Sequence, residues 1–156
     1  MRSRRVLIAA AVVLVIGSAA RSRLQSPEPG GDAAVAITMG ISVPATVMGT
    51  LARACFDCHS DHTRWPWYAS LPVASHLIER DVTQGRRQLN WSHWAEYNPF
   101  TRIDTLDKVC ELASTGKMPP WQYQLVHGEA RLSAVAVTEL CTWTQQEAAR
   151  LLNGGS

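Results

Sequence analysis

Apolar positions recur at helical spacing in four stretches, and no stretch alternates cleanly enough to predict a strand. Pro44 stands at a first-turn position, and Val47, Leu51, Ala54, Cys55 and Cys58 follow it on one stripe. A second helix is predicted from Val73 to about Gln84, with Pro72 before it and Gly85 as its stop. A third, over Arg102–Ser114, carries Ile103, Leu106, Val109, Cys110 and Ala113 on one face and ends at Gly116. The last starts after Ser133, a favourable N-cap, and runs to Leu152 with Val137, Leu140, Cys141, Thr144, Ala148 and Leu151 as its stripe. Between the second and third lies a tryptophan-rich stretch, Leu89–Phe100, with room for one short helix. The predicted fold is small and mostly α.

The N-terminal residues follow another pattern. Arg2, Arg4 and Arg5 precede an apolar run from Val6 to Ala20, 15 residues long. That suits the core of a secretory signal and falls short of the roughly 18–20 residues of a spanning helix. Ser18-Ala19-Ala20 supplies small residues for cleavage; Arg21 and Arg23 equally suit the flank of a retained anchor. Residues 1–20 therefore read as a signal peptide or an N-terminal membrane anchor. Either sends the rest of the chain into the periplasm, soluble after cleavage or tethered to the inner membrane through residues 6–20. Residues 21–42, with their Pro/Gly/Ser stretch, read as a linker, and 43–153 as one domain.

Charge narrows the options. The chain is formally +2, but without residues 1–20 it holds 12 basic against 13 acidic residues. A near-neutral chain lacks the basic footprint that nucleic acid requires. Four cysteines are too few for a disulfide scaffold of this length. Six tryptophans are more than an ordinary core of this size needs.

Cys55-Phe56-Asp57-Cys58-His59 is C-x-x-C-H, the attachment signature of c-type haem. Each thiol adds to one porphyrin vinyl group, so the two sulfurs must reach neighbouring edges of the ring. One helical turn puts Cys55 and Cys58 on the same face. His59 then falls beneath the ring as proximal iron ligand. A structural zinc site would need four ligands, and Cys110 and Cys141 form no second pair. A thioredoxin-like dithiol would need a βαβ context, which the pattern lacks. Cys110 and Cys141 lie on apolar faces of two predicted helices. In an oxidising compartment they form a disulfide if the helices cross, and otherwise remain inert buried thiols.

The chain resembles the haem-binding domain family of exported bacterial c-type cytochromes from about Ile41 to Trp143. The resemblance rests on Ile41-Ser42-Val43-Pro44, Cys55 to Ser60, Thr63-Arg64-Trp65-Pro66-Trp67-Tyr68, Gly85-Arg86, Leu89-Asn90 and Gly116-Lys117-Met118-Pro119-Pro120. Pro72-Val73, Asp81-Val82, Ser92, Trp94, Tyr123, His127 and Leu132-Ser133 add to it. Trp91 and His93 depart from it: another aromatic and an acid are expected there. The resemblance implies a cytochrome c-like helical domain around one covalently bound haem c. It also points to Met118 as sixth iron ligand, in a loop stiffened by prolines that fix φ. His76, His93 and His127 are the rival ligands, His127 foremost; His62 lies too near His59 in sequence. Trp65, Trp67 and Tyr68 are expected to wall the haem crevice, with Trp121 and Tyr123 on the distal side. Arg64, Arg86 or Arg87 are expected on the propionates.

The expected function is single-electron transfer by a mono-haem c-type cytochrome with His59 and Met118 on the iron, not catalysis. Its partner would be an unidentified redox protein. The alternatives are a five-coordinate haem enzyme or gas sensor using His127 as a distal acid–base group, and an interaction module with a structural haem.

Overall fold

A computed structural model describes residues 37–154, residue 39 excepted. The signal or anchor residues 1–20 and most of the linker lie outside the described residues. From residue 45 onward the described α-helices are α1 (Ala45–Ala54), α2 (Phe56–His59), α3 (Pro72–Gln88), α4 (Pro99–Ser114), α5 (Trp121–Val126) and α6 (Ala134–Leu152). Short 3-10 turns at Trp67–Ser70, Trp91–Glu96 and Gly128–Ala130 connect them, and there is no strand among the described residues. Nor is any helix among them long and apolar enough to cross a membrane.

Local chemistry sets most boundaries. Asn98 accepts the Thr101 N–H and Ser133 accepts the Ala136 N–H, each closing an otherwise orphaned amide at a helix start. Pro72 and Pro99 occupy first-turn positions where no N–H is needed. At the end of α4, Gly116 adopts φ 67°, its N–H bonds Ala113 O, and the Lys117 N–H bonds Leu112 O. This is the Schellman pairing, which glycine enters without a Cβ penalty.

Three boundaries differ from expectation. The helix α4 starts at Pro99, three residues before the expected Arg102, because Asn98 caps it and Pro99 opens its first turn. The first stripe does not run through Cys58 as one helix: the chain breaks at Cys55 (φ −125°, ψ −43°) and restarts as α2. Gly85 does not stop α3, which continues to Gln88. Its lack of a side chain serves packing instead, because α3 crosses directly over the backbone of α2. A Cβ at Gly85 would stand 2.6 Å from the Cys58 carbonyl oxygen. The helix α5 was absent from the sequence pattern; six residues are too few for a periodic signal.

The core joins Val47, Leu51 and Phe56 to Leu89, Trp91, Trp94, Leu106, Leu140 and Trp143. Ile37 and Ile41, from the end of the segment read as linker, are buried in it as well. The helices α4 and α6 pack along each other and are joined by the Cys110–Cys141 disulfide, with Cα atoms 4.8 Å apart. Against α6 sits α1, and just before α1 the Ser42 carbonyl accepts from Trp143 Nε1 at 2.8 Å. The short α2 is thereby held between α1 and α3.

Candidate haem attachment site

Cys55 closes α1 and Cys58 sits one turn on in α2, and both thiols are free while the other two cysteines are paired. The Cys58 N–H and the His59 N–H both bond Cys55 O, at 3.2 and 2.9 Å, so the three residues share one turn. Burial pushes the Cys55 thiol up to about 12. Burial, with the Asp57 carboxylate beside it, pushes Cys58 up to about 11. Both are therefore neutral thiols near pH 7, the form that adds across a vinyl group only when activated.

His59 is held from the side. Its Nδ1 stands 3.1 Å from Leu89 O. A neutral imidazole donating there leaves Nε2 as an acceptor, the tautomer a metal requires. Burial lowers the His59 pKa and so favours this neutral ring. Two free thiols one turn apart, beside a histidine with one nitrogen tied back, fit a covalently attached haem. Among the described residues no three His, Cys, Asp or Glu side chains cluster closely enough to hold a metal ion.

Asp57, in the motif's second variable position, organises the surroundings. Its buried carboxylate takes Arg64 Nε at 2.9 Å on Oδ1, a second Arg64 nitrogen at 3.0 Å on Oδ2, and the Tyr123 hydroxyl at 2.7 Å on Oδ2. Thr63 Oγ1 donates to the Asp57 carbonyl at 2.7 Å. Burial and the bond to Asp57 raise the Tyr123 pKa, which keeps its hydroxyl a donor. Arg86 Nε bonds Ser60 O at 2.8 Å, and its NH2 group bonds Thr63 Oγ1 at 3.0 Å. Arg64 and Arg86 thus tie the Ser60–Arg64 loop to α2 and α3. All of these bonds are to protein groups.

The remaining candidates spread over neighbouring segments. Trp65 is half-buried, while Trp67 is 75% exposed and Trp121 66% exposed. Leu71, Val73 and Leu77, around the start of α3, are also exposed. Met118 lies just past the Schellman turn, its N–H bonding Leu112 O at 3.0 Å, and its side chain is exposed. Three residues further on begins α5, which Tyr123 anchors to Asp57, so the Met118 loop is fastened at both ends. His127 has both ring nitrogens engaged: Nε2 with the Tyr68 hydroxyl at 2.7 Å and Nδ1 with Glu129 at 3.2 Å. It stacks on Tyr123 with ring centroids 4.2 Å apart. Sequence reasoning gave no role to Asp57; the available signal was an acid inside a short helix, seven residues before an arginine.

A small helical domain built around a C-x-x-C-H turn is consistent with c-type haem attachment. The chain belongs to the haem-binding domain family, whose model matches residues 12–146. No curated protein and no solved structure matches it.

Proposed function

We propose that the protein is an exported mono-haem electron carrier, with haem c attached through Cys55 and Cys58 and the iron ligated by His59 and Met118. The observation that carries this reading is the His59 turn: two free thiols, and an imidazole whose Nδ1 is tied to Leu89 O. A bound haem supplies a one-electron Fe(II)/Fe(III) couple at that turn.

The chain's own residues set the conditions for it. Cys55 and Cys58 fix the ring's position, and the Leu89 carbonyl fixes the plane of His59 and raises the basicity of Nε2. The exposed apolar side chains Trp67, Leu71, Val73 and Leu77 offer surface that a porphyrin would cover. Met118 is favoured as sixth ligand over His127 because both His127 nitrogens already have partners. With two protein ligands the iron has no open position, which suits transfer to a redox protein rather than catalysis. The disulfide Cys110–Cys141 agrees with an oxidising compartment, as export requires.

The absorption spectra of the oxidised and reduced protein test this reading. A low-spin spectrum with the weak long-wavelength band of an iron–thioether bond is expected. A high-spin spectrum with rapid carbon monoxide binding would replace the carrier with an open-site haem protein.

A further inference from the structure

A seam of hydrogen bonds joins residues 59–61 to residues 89–93. At one end His59 Nδ1 meets the Leu89 carbonyl at 3.1 Å. Two residues on, Asp61 Oδ1 accepts from Asn90 Nδ2 at 2.7 Å, and the Asp61 N–H donates to Ser92 Oγ at 3.0 Å. At the far end Asp61 Oδ2 lies 2.8 Å from His93 Nε2, and His93 Nδ1 lies 2.8 Å from Glu96 Oε1. A carboxylate at each nitrogen requires the ring to donate from both, which only the imidazolium does. Asp61 and His93 are each 43% exposed, so charge rather than burial closes this end.

We propose that His93 is a positioning residue for His59: by locking the Leu89–His93 segment onto Asp61, it holds the Leu89 carbonyl against the imidazole. The proposal rests on His59 being the iron ligand. The charged groups around His93 are Asp61 from the loop after α2 and Glu96 from its own turn. The positive charge of Arg86 in α3 also acts on Asp61. A neutral His93 has one N–H for two carboxylates and no charge to attract Asp61, so the seam is tightest at low pH and loosens as His93 loses its proton. Its two acidic partners raise that titration above the ordinary value of 6.5. A looser seam weakens the Nδ1–H···O bond and lowers the basicity of Nε2.

The test follows the His59 Nδ1–H proton resonance by NMR in the full-length, haem-loaded, reduced protein, from about pH 5.5 to about pH 9, the range in which histidines titrate. In the wild type the resonance should move upfield, toward a weaker bond, as His93 deprotonates. In His93→Gln it should sit near the high-pH position throughout, and in His93→Arg, which keeps the charge, near the low-pH position. Glu96→Gln, an exposed change with little effect on folding, should lower the pH of the transition. A static wild-type resonance, a shift in His93→Gln equal to that of wild type, or an unchanged midpoint in Glu96→Gln would overturn the proposal. If the same sample shows a low-spin, covalently bound haem, such a result counts against the role of His93 alone. A chain that carries no haem overturns both readings.

Discussion

Gly85→Ala should destabilise the protein, although the same change usually stabilises a helix. Alanine in a helix interior is favoured over glycine by about 1 kcal/mol. At Gly85 the new Cβ would meet the Cys58 carbonyl oxygen at 2.6 Å, its carbon at 3.2 Å and the Cys58 Cβ at 3.3 Å. Two of the three atoms are backbone and cannot swing away. Overpacking costs roughly 1–3 kcal/mol, and a clash with backbone belongs at the upper end, so a net loss of about 1–2 kcal/mol is expected. Gly49→Ala in α1 is the matched control, because a Cβ there meets only the flexible end of Arg53 at 3.9 Å. It should gain about 1 kcal/mol. With a urea slope near 1.5 kcal/mol per molar, the two variants should unfold about 1.3–2 M apart, on opposite sides of wild type. Gly85→Ala should also lower the fraction of chains carrying covalent haem, since relief of the clash displaces Cys58. A Gly85→Ala variant as stable as Gly49→Ala would refute the packing of α3 on α2.

Met118→Ala should convert a low-spin spectrum to high-spin or recruit another ligand, with faster carbon monoxide binding than wild type; an unchanged spectrum alongside a high-spin His127→Ala variant would reassign the sixth ligand. Replacing Cys110 and Cys141 by serine should cost about 3–4 kcal/mol, since the bridge spans 31 residues. Alkylation of the unreduced, denatured wild type should leave both unlabelled. In haem-free protein, Cys55 and Cys58 keep their protons up to about 12 and 11 when folded but release them around 9 when unfolded. Their contribution is therefore complete below pH 9 and lost as the pH rises. The urea midpoint should fall between pH 9 and about pH 11, and fall less in Cys55→Ala/Cys58→Ala; equal losses would contradict the burial of the thiols.

The C-x-x-C-H turn was legible because its chemistry is contiguous: vinyl spacing and iron ligation dictate five successive residues. The ends of α4 and α6 were legible for a similar reason, since Gly116 and Ser133 act on amides and carbonyls a few residues away. What could not be read depends on distant partners. Asp57 meets Tyr123 across 66 positions, and Asp61 meets His93 across 32. Nothing local marks either pair. Gly85 was legible as a glycine but not as a contact, because helix punctuation and close approach use the same residue. The tryptophan excess resolves into two uses: Trp91, Trp94 and Trp143 fill the core, while Trp65, Trp67 and Trp121 stay partly or largely exposed.

The most direct test of covalent haem attachment is the intact mass of the purified protein before and after extraction with acid acetone. Attachment through Cys55 and Cys58 predicts a mass increased by one haem that survives extraction, and its loss in the Cys55→Ala/Cys58→Ala double variant. A wild-type chain that returns to the mass of the bare polypeptide, with all its haem in the solvent, would contradict the account.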